Sequence, residues 1–142
     1  MKYRLLVFGN APSWVDDGVR EYSKRIPNLS IERVAGKPVR TRTQRMYATC
    51  GNRAIRVYLD KSGQSFTSES LARQCVSWER RGQDVCLLIG DDVGFTGEDL
   101  ESADLVWSLS PLTLPHQLTR ILVCEQLYRA HTINLGQAYH RS

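Results

Sequence analysis

The chain has 142 residues, 42% of them hydrophobic and 24% charged, which fits one globular domain that can bury a core without disulfides or metal. No run of about 18 apolar residues occurs, which excludes a membrane-spanning helix. The formal net charge is +4, yet residues 1–61 hold 13 Lys+Arg against 5 Asp+Glu and residues 62–142 hold 6 against 10.

In chain order, KYRLLVF (2–8) reads as a strand ending at Gly9. Its apolar patch is too short for a signal-peptide core. Ser13 and Asp16 resemble a capping box, and Trp14, Val15, Val19 and Tyr22 then repeat at helical spacing until Pro27. LSIERV (29–34) alternates as a second strand. Residues 35–52 are basic and weakly patterned, a loop with a short helix near Gln44–Thr49. AIRVYLD (54–60) is a third strand, closed by Lys-Ser-Gly. Thr67 is placed to cap a helix whose apolar face is Leu71, Ala72, Cys75 and Trp78, with Gly82 as its stop.

DVCLLIG (84–90) is a continuous apolar run, as expected of a central strand buried on both faces. A loop and a helical turn near Glu98–Ser102 lead to a fifth strand, LVWSLS (105–110). Leu118, Ile121, Leu122 and Cys124 to Tyr128 form a final, largely buried helix, and Gly136 breaks it before a polar tail. Strands alternating with helices predict a parallel α/β sheet, whose ligands bind beyond the C-terminal strand ends. Three such ends are chemically distinctive: Leu59-Asp60, Gly90-Asp91 and Ser110-Pro111.

Many site chemistries are missing. Cys50, Cys75, Cys86 and Cys124 form no CxxC pair, and His116, His131 and His140 form no metal pair, so no metal is expected. The thiols suggest a reducing cytoplasm. LLIGDDVG matches neither a dinucleotide fingerprint nor a P-loop. Seven basic residues and no acid lie from Arg33 to Leu59, which suits a polyanion such as RNA and equally suits a solvated face. LSPLTLPHQLTR (109–120) holds Pro111 and Pro115, which push Ser110 and Leu114 toward extended backbone. Backbone groups of Leu112, Thr113 and Leu114 would then face a planar ligand, or the segment is simply a rigid turn.

LLIG, WSLS, LTLPHQL, RILVCEQLYRA and the closing YHR together resemble the large-subunit ribosomal RNA methyltransferase H family, small SPOUT methyltransferases, over nearly the whole chain. The resemblance implies a SPOUT-type trefoil-knotted parallel sheet with helices on both faces, a single domain over 1–142, and a homodimer. It implies S-adenosyl-L-methionine as cofactor and N3 of a pseudouridine in 23S rRNA of the assembled ribosome as target. The cofactor positions match Leu59, Gly90, Asp91, Leu109, Ser110, Pro111, Leu112, Thr113, Leu114 and Pro115. His140 is then a candidate base, Arg129 and Arg141 stabilise an anionic ring or clamp phosphate, and Tyr139 stacks on the base.

Two departures from the family pattern stand out. The second glycine after the fourth strand is Asp91, whose carboxylate would meet the cofactor's amine or crowd the pocket, and the segment after AGK is short by roughly a dozen residues, about three helical turns. These leave a rival reading open: a non-catalytic or re-targeted paralogue that binds RNA or ribosomes.

Overall fold

The structure is a computed structural model and describes residues 1–34, 39–91 and 94–141, without the side chains of 39–43. Lys37, the side chains of Arg40 and Arg42, and Asp92 and Val93 of the GDDVG turn lie outside the described residues.

Val85–Ile89 forms β4, and all five of its residues are buried. An unbroken apolar strand is stable only with both sheet faces covered, and β4 sits at the middle of the sheet accordingly. Tyr3–Phe8 (β1) lies on one side of it and Ile55–Ser65 (β3) on the other. Leu29–Val34 (β2) and Leu105–Ser108 (β5) complete the order β2-β1-β4-β3-β5, with every pair parallel. The register puts Leu5 and Val57 on either side of Leu87.

Side-chain alternation sorts the sheet into two cores. Leu5, Val7, Val57, Leu59, Val85, Leu87 and Ile89 join one cluster. It also takes Val15 and Val19 of α1 (Ser13–Ser23), Leu71, Ala72, Cys75 and Trp78 of α3 (Ser68–Arg81), and Val123, Cys124, Leu127 and Ala130 of α5 (His116–Leu135). Leu6, Phe8, Tyr58, Cys86 and Leu88 face the opposite way, against Met46 and Cys50 of α2 (Val39–Cys50) and Leu100 of α4 (Gly97–Glu101). The fold is thus the expected α/β parallel sheet with helices on both faces. Among the described residues, no helix is long and apolar enough to cross a membrane.

The expected ends of α3 are present: Thr67 accepts from the Ser70 N–H in a capping box, and Gly82 is left-handed at φ 71. Four local expectations are corrected. Pro12, not Ser13, caps α1, and no side chain bonds its first turn. The Val15 and Asp16 N–H groups donate to the Pro12 carbonyl at 3.0 and 3.3 Å, so they do not require the Ser13 hydroxyl as acceptor. The basic segment holds a twelve-residue helix, α2, instead of a short turn. Trp14 is 53% exposed, and Leu118 and Leu122 of α5 are 41% and 38% exposed. The apolar stripe of α5 therefore wraps further round the helix than the core requires.

The fourth correction concerns β3, which does not stop at Asp60. Leu59 pairs with Trp107, and so does Gln64, so residues 60–63 leave the ladder and return to it. Asp60 shapes the excursion by accepting hydrogen bonds from the Ser62 N–H at 3.0 Å and hydroxyl at 2.5 Å. Gly63 makes the return possible: a Cβ there would lie 2.4 Å from the Val106 carbonyl oxygen. Gly63→Ala should therefore cost about 1–3 kcal/mol, as overpacking does, read as a lower urea midpoint.

Candidate functional site

β4, β3 and β5 are neighbours and parallel, so their C-terminal ends open on one edge. A cavity of about 510 Å³ lies there, within the range of small-molecule sites. Its lining includes Leu59, Gly90, Asp91, Leu109, Ser110, Leu112, Thr113, Leu114 and Pro115. Of the positions expected to hold cofactor, Pro111 alone is not in the wall; it is exposed. Asp60, which the strand-end reading singled out with Leu59, lines it as well, whereas sequence reasoning missed Lys61, Phe95, Trp107, His116 and Thr119. Lys61 arrives by the β3 excursion, and its ammonium donates to the Thr113 hydroxyl at 3.1 Å. His116 arrives as the first residue of α5, directly after Pro115.

The floor at Gly90 has no room for a side chain without adjustment. A Cβ there would stand 3.2 Å from the Gly94 Cα and 3.4 Å from its carbonyl carbon. The Gly94 N–H donates to the Asp91 carbonyl at 3.0 Å, and Gly94 itself is left-handed at φ 76. No described residue other than glycine has a positive φ, so Asp91 stands where a glycine's backbone freedom is not needed. The departure at Asp91 adds a carboxylate to the cavity wall without backbone strain.

The proline loop is ordered by its own serines. The Ser110 hydroxyl accepts from the Leu112 N–H at 3.0 Å, and the Ser108 hydroxyl donates to the Ser110 carbonyl at 3.0 Å. The Leu112 N–H, expected to face a ligand, is therefore consumed within the loop. Leu112 presents its side chain instead, 70% exposed at the cavity rim.

The residues expected to act on the substrate form a second cluster. Glu125 Oε1 accepts from Arg129 Nε at 2.9 Å and Nη2 at 2.6 Å, and from the Tyr139 hydroxyl at 3.2 Å. The guanidinium lies 4.7 Å from the Tyr139 ring centroid. His140 Nδ1 is 3.2 Å from Arg129 Nη1, and its Nε2 is 2.8 Å from Glu69 Oε1. The hydrogen bond to Glu125 raises the Arg129 pKa above its ordinary value. Burial, then the Glu125 charge, raise that of Tyr139. The hydrogen bond from His140 holds Glu69 below the usual carboxylate range.

Arg129, Tyr139 and His140 are thus brought together, whereas Arg141 is exposed outside the cluster. None of the four lines the cavity. The spacing explains this: α5 opens at the cavity with His116, and Arg129 lies thirteen residues further along it, roughly 20 Å at 1.5 Å per residue. Among the described residues, no group of three or more His, Cys, Asp or Glu is placed to hold a metal ion.

A family model described as "Predicted SPOUT methyltransferase" matches residues 1–140. Over a 156-position alignment covering all of both chains, the sequence is 40% identical to a ribosomal RNA large subunit methyltransferase H of Xanthomonas oryzae pv. oryzae. A protein of the same description from Saccharophagus degradans is 38% identical over 99% of this chain and 100% of its own. Among solved structures, a probable methylase family protein of Haemophilus influenzae superposes with a TM-score of 0.60 at 13% identity, over 94% of this chain and 66% of the other. A Legionella pneumophila protein solved with the cofactor SAM bound gives 0.51 at 13% identity, over 92% and 66%. At such identities these two bear on the fold alone.

Replacing Arg129 with Ala removes the group that bridges Glu125, Tyr139 and His140. Amide exchange at residues 137–140 should accelerate by an order of magnitude or more while exchange in β4 is unchanged.

Proposed function

Because the chain belongs to the ribosomal RNA large subunit methyltransferase H family of SPOUT methyltransferases, we propose that it methylates N3 of a pseudouridine in 23S rRNA of the assembled ribosome, with S-adenosylmethionine held in the β3–β4–β5 cavity. The observation that carries the reading is the cavity itself: it gathers the strand ends and proline loop that the family pattern assigns to the cofactor, over a glycine floor at Gly90. The lining fits the molecule. Leu59, Leu109 and Leu114 suit a purine face, while Lys61 and Asp91 offer one charge of each sign to an amino-acid zwitterion.

S-adenosylmethionine supplies an electrophilic methyl group. The protein's task is to position the base in line with it and to manage the N3 proton. His140 accepts that proton, Tyr139 stacks on the ring, and Arg129 and Arg141 offset negative charge on the ring or a neighbouring phosphate. The tail lies too far along α5 to serve its own protomer's cavity, so the reading includes a homodimer whose tail completes the partner's site. Exposed Trp14, Leu118 and Leu122 on α1 and α5 support such an interface. The passage of α5 between α1 and α3, with the Arg120 guanidinium donating to the Phe8 carbonyl, supports the trefoil threading of the family. Four buried free thiols favour a cytoplasmic setting.

Calorimetric titration with S-adenosylmethionine should show binding. Neither heat nor a melting shift at millimolar cofactor would sink the reading. Gly90→Val sets a Cβ against Gly94 and Phe95, with two methyl groups beyond it, and should abolish that heat while the oligomeric state by light scattering is unchanged. Deleting residues 137–142 should eliminate labelled methyl transfer to ribosomes yet leave cofactor affinity within about twofold, since the tail does not line the cavity. Ribosome binding without transfer by the intact chain would instead indicate the non-catalytic paralogue.

A further inference from the structure

His140 is held through both ring nitrogens, and its two partners are chemically unlike. Arginine has donors only, so Nδ1, 3.2 Å from Arg129 Nη1, must accept. The ring proton of neutral His140 then sits on Nε2, 2.8 Å from a carboxylate oxygen of Glu69. Glu69 stands in the first turn of α3, whose start is fixed by the Thr67–Ser70 capping box. The helix therefore delivers this carboxylate at a defined place, with the imidazole side chain 17% exposed beside it.

We propose that Glu69 is a positioning residue for the tail histidine, forming a carboxylate–imidazole dyad that fixes the Nε2–H tautomer and leaves Nδ1 as the nitrogen that takes the substrate proton. The inference rests on the methyltransferase reading above. In the transfer, the N3–H electron pair stays on the ring and forms the N3–C bond. The pair of the breaking S–C bond returns to sulfur, and the proton passes to Nδ1. The imidazolium so formed keeps its Nε2–H on Glu69, whose charge stabilises it, the logic by which a buried carboxylate serves a catalytic histidine. The Arg129 contact at Nδ1 is the one the substrate displaces. Arg129 keeps its two bonds to Glu125 when this happens, so the guanidinium is retained beside the ring.

The charged and titratable groups around the dyad are few. From α3 they are Glu69 and Arg73, and from α5 Arg129 and Glu125. The tail adds Tyr139, α1 adds Tyr22, and the turn after α1 adds Arg25, whose guanidinium lies 5.4 Å from the Tyr128 ring centroid. Glu69 alone among them is an anion bonded directly to the imidazole.

Glu69→Gln keeps an acceptor for Nε2–H and removes the charge, so it separates positioning charge from mere packing. Following His140 by ¹⁵N NMR against pH in the intact protein, the wild-type ring should show an unprotonated Nδ1 and a protonated Nε2. The midpoint of its titration should fall by about one pH unit in Glu69→Gln, as loss of an adjacent opposite charge dictates. In ribosome methylation the acid limb of kcat should move down by the same amount, with kcat reduced on the plateau and the KM for S-adenosylmethionine unchanged. Glu69→Asp should restore part of the shift. A His140 titration midpoint and acid limb identical in wild type and Glu69→Gln would overturn the dyad. A wild-type chain that transfers no methyl group would overturn the functional reading instead, and the NMR titration would still decide the dyad by itself.

Discussion

Every residue of β4 is buried, and none from Val85 to Ile89 has a polar side chain. A strand covered on both faces can offer chemistry only where it leaves the sheet. β4 does so at Gly90-Asp91, beside the outgoing end of β3 and with the loop after β5 beyond that. Because the three strands are parallel, their first polar atoms appear on one edge, and a cavity follows from that alone. The remaining elements hold the edge open. The excursion after Leu59 brings Lys61 over it, the two serines stiffen the proline loop, and Gly90 lets the turn at Gly94 pass close beneath.

Much of this was legible wherever one strong local rule acted without competition. The apolar stretch of β1, the alternation in β2, the unbroken run in β4, and the Thr67 cap with its Gly82 stop left little choice. The misreadings have physical causes. Asp60-Lys61-Ser62-Gly63 has turn chemistry, yet in the fold it is an irregularity within β3; that the strand continues beyond it depends on β5 as a pairing edge, which no local window contains. Of the described side chains of α2, only Met46 and Cys50 are buried, too sparse a stripe to reveal a twelve-residue helix. Lys61 and His116 reach the cavity by tertiary placement: Lys61 stands in no motif, and His116, although within LTLPHQL, had no ligand role assigned from the residues alone. The resemblance supplied what periodicity could not: the ligand proposed for the cavity and the role proposed for the tail.

The basic segment also changes character once folded. Arg33 donates to Asn10 and forms an ion pair with Asp16 at 3.0 Å. Arg56 donates to the Tyr47 hydroxyl and the Gly51 carbonyl, with its guanidinium 3.7 Å from the Tyr47 ring centroid. Both cations are partly spent within the chain, one tying α1 to β2 and the other bracing the end of α2 against β3. Counting charges along the sequence therefore overstates the surface available to a polyanion. On the proposed reading the RNA site is the cluster at the end of α5, where Arg129 is likewise ion-paired, to Glu125 at 2.6 Å, beside the Tyr139 ring and His140.

α5 then sets the relation between the two halves of the chemistry. It begins at the cavity and ends at the tail, and it is one helix packed against both α1 and α3. A buried helix does not shorten, so the roughly 20 Å between His116 and Arg129 is a fixed length. No local rearrangement of residues 137–141, held by Glu125 and Glu69, closes that distance while those bonds persist. On the proposed reading, cofactor binding is a property of one folded protomer and methyl transfer a property of two. The exposed apolar side chains on α1 and α5 are then where folding hands over to association: Leu118 and Leu122 lie on the helix that separates the two clusters and Trp14 on α1 packed against it, and burying them against a second copy offers a way to bring one copy's tail to the other's cavity.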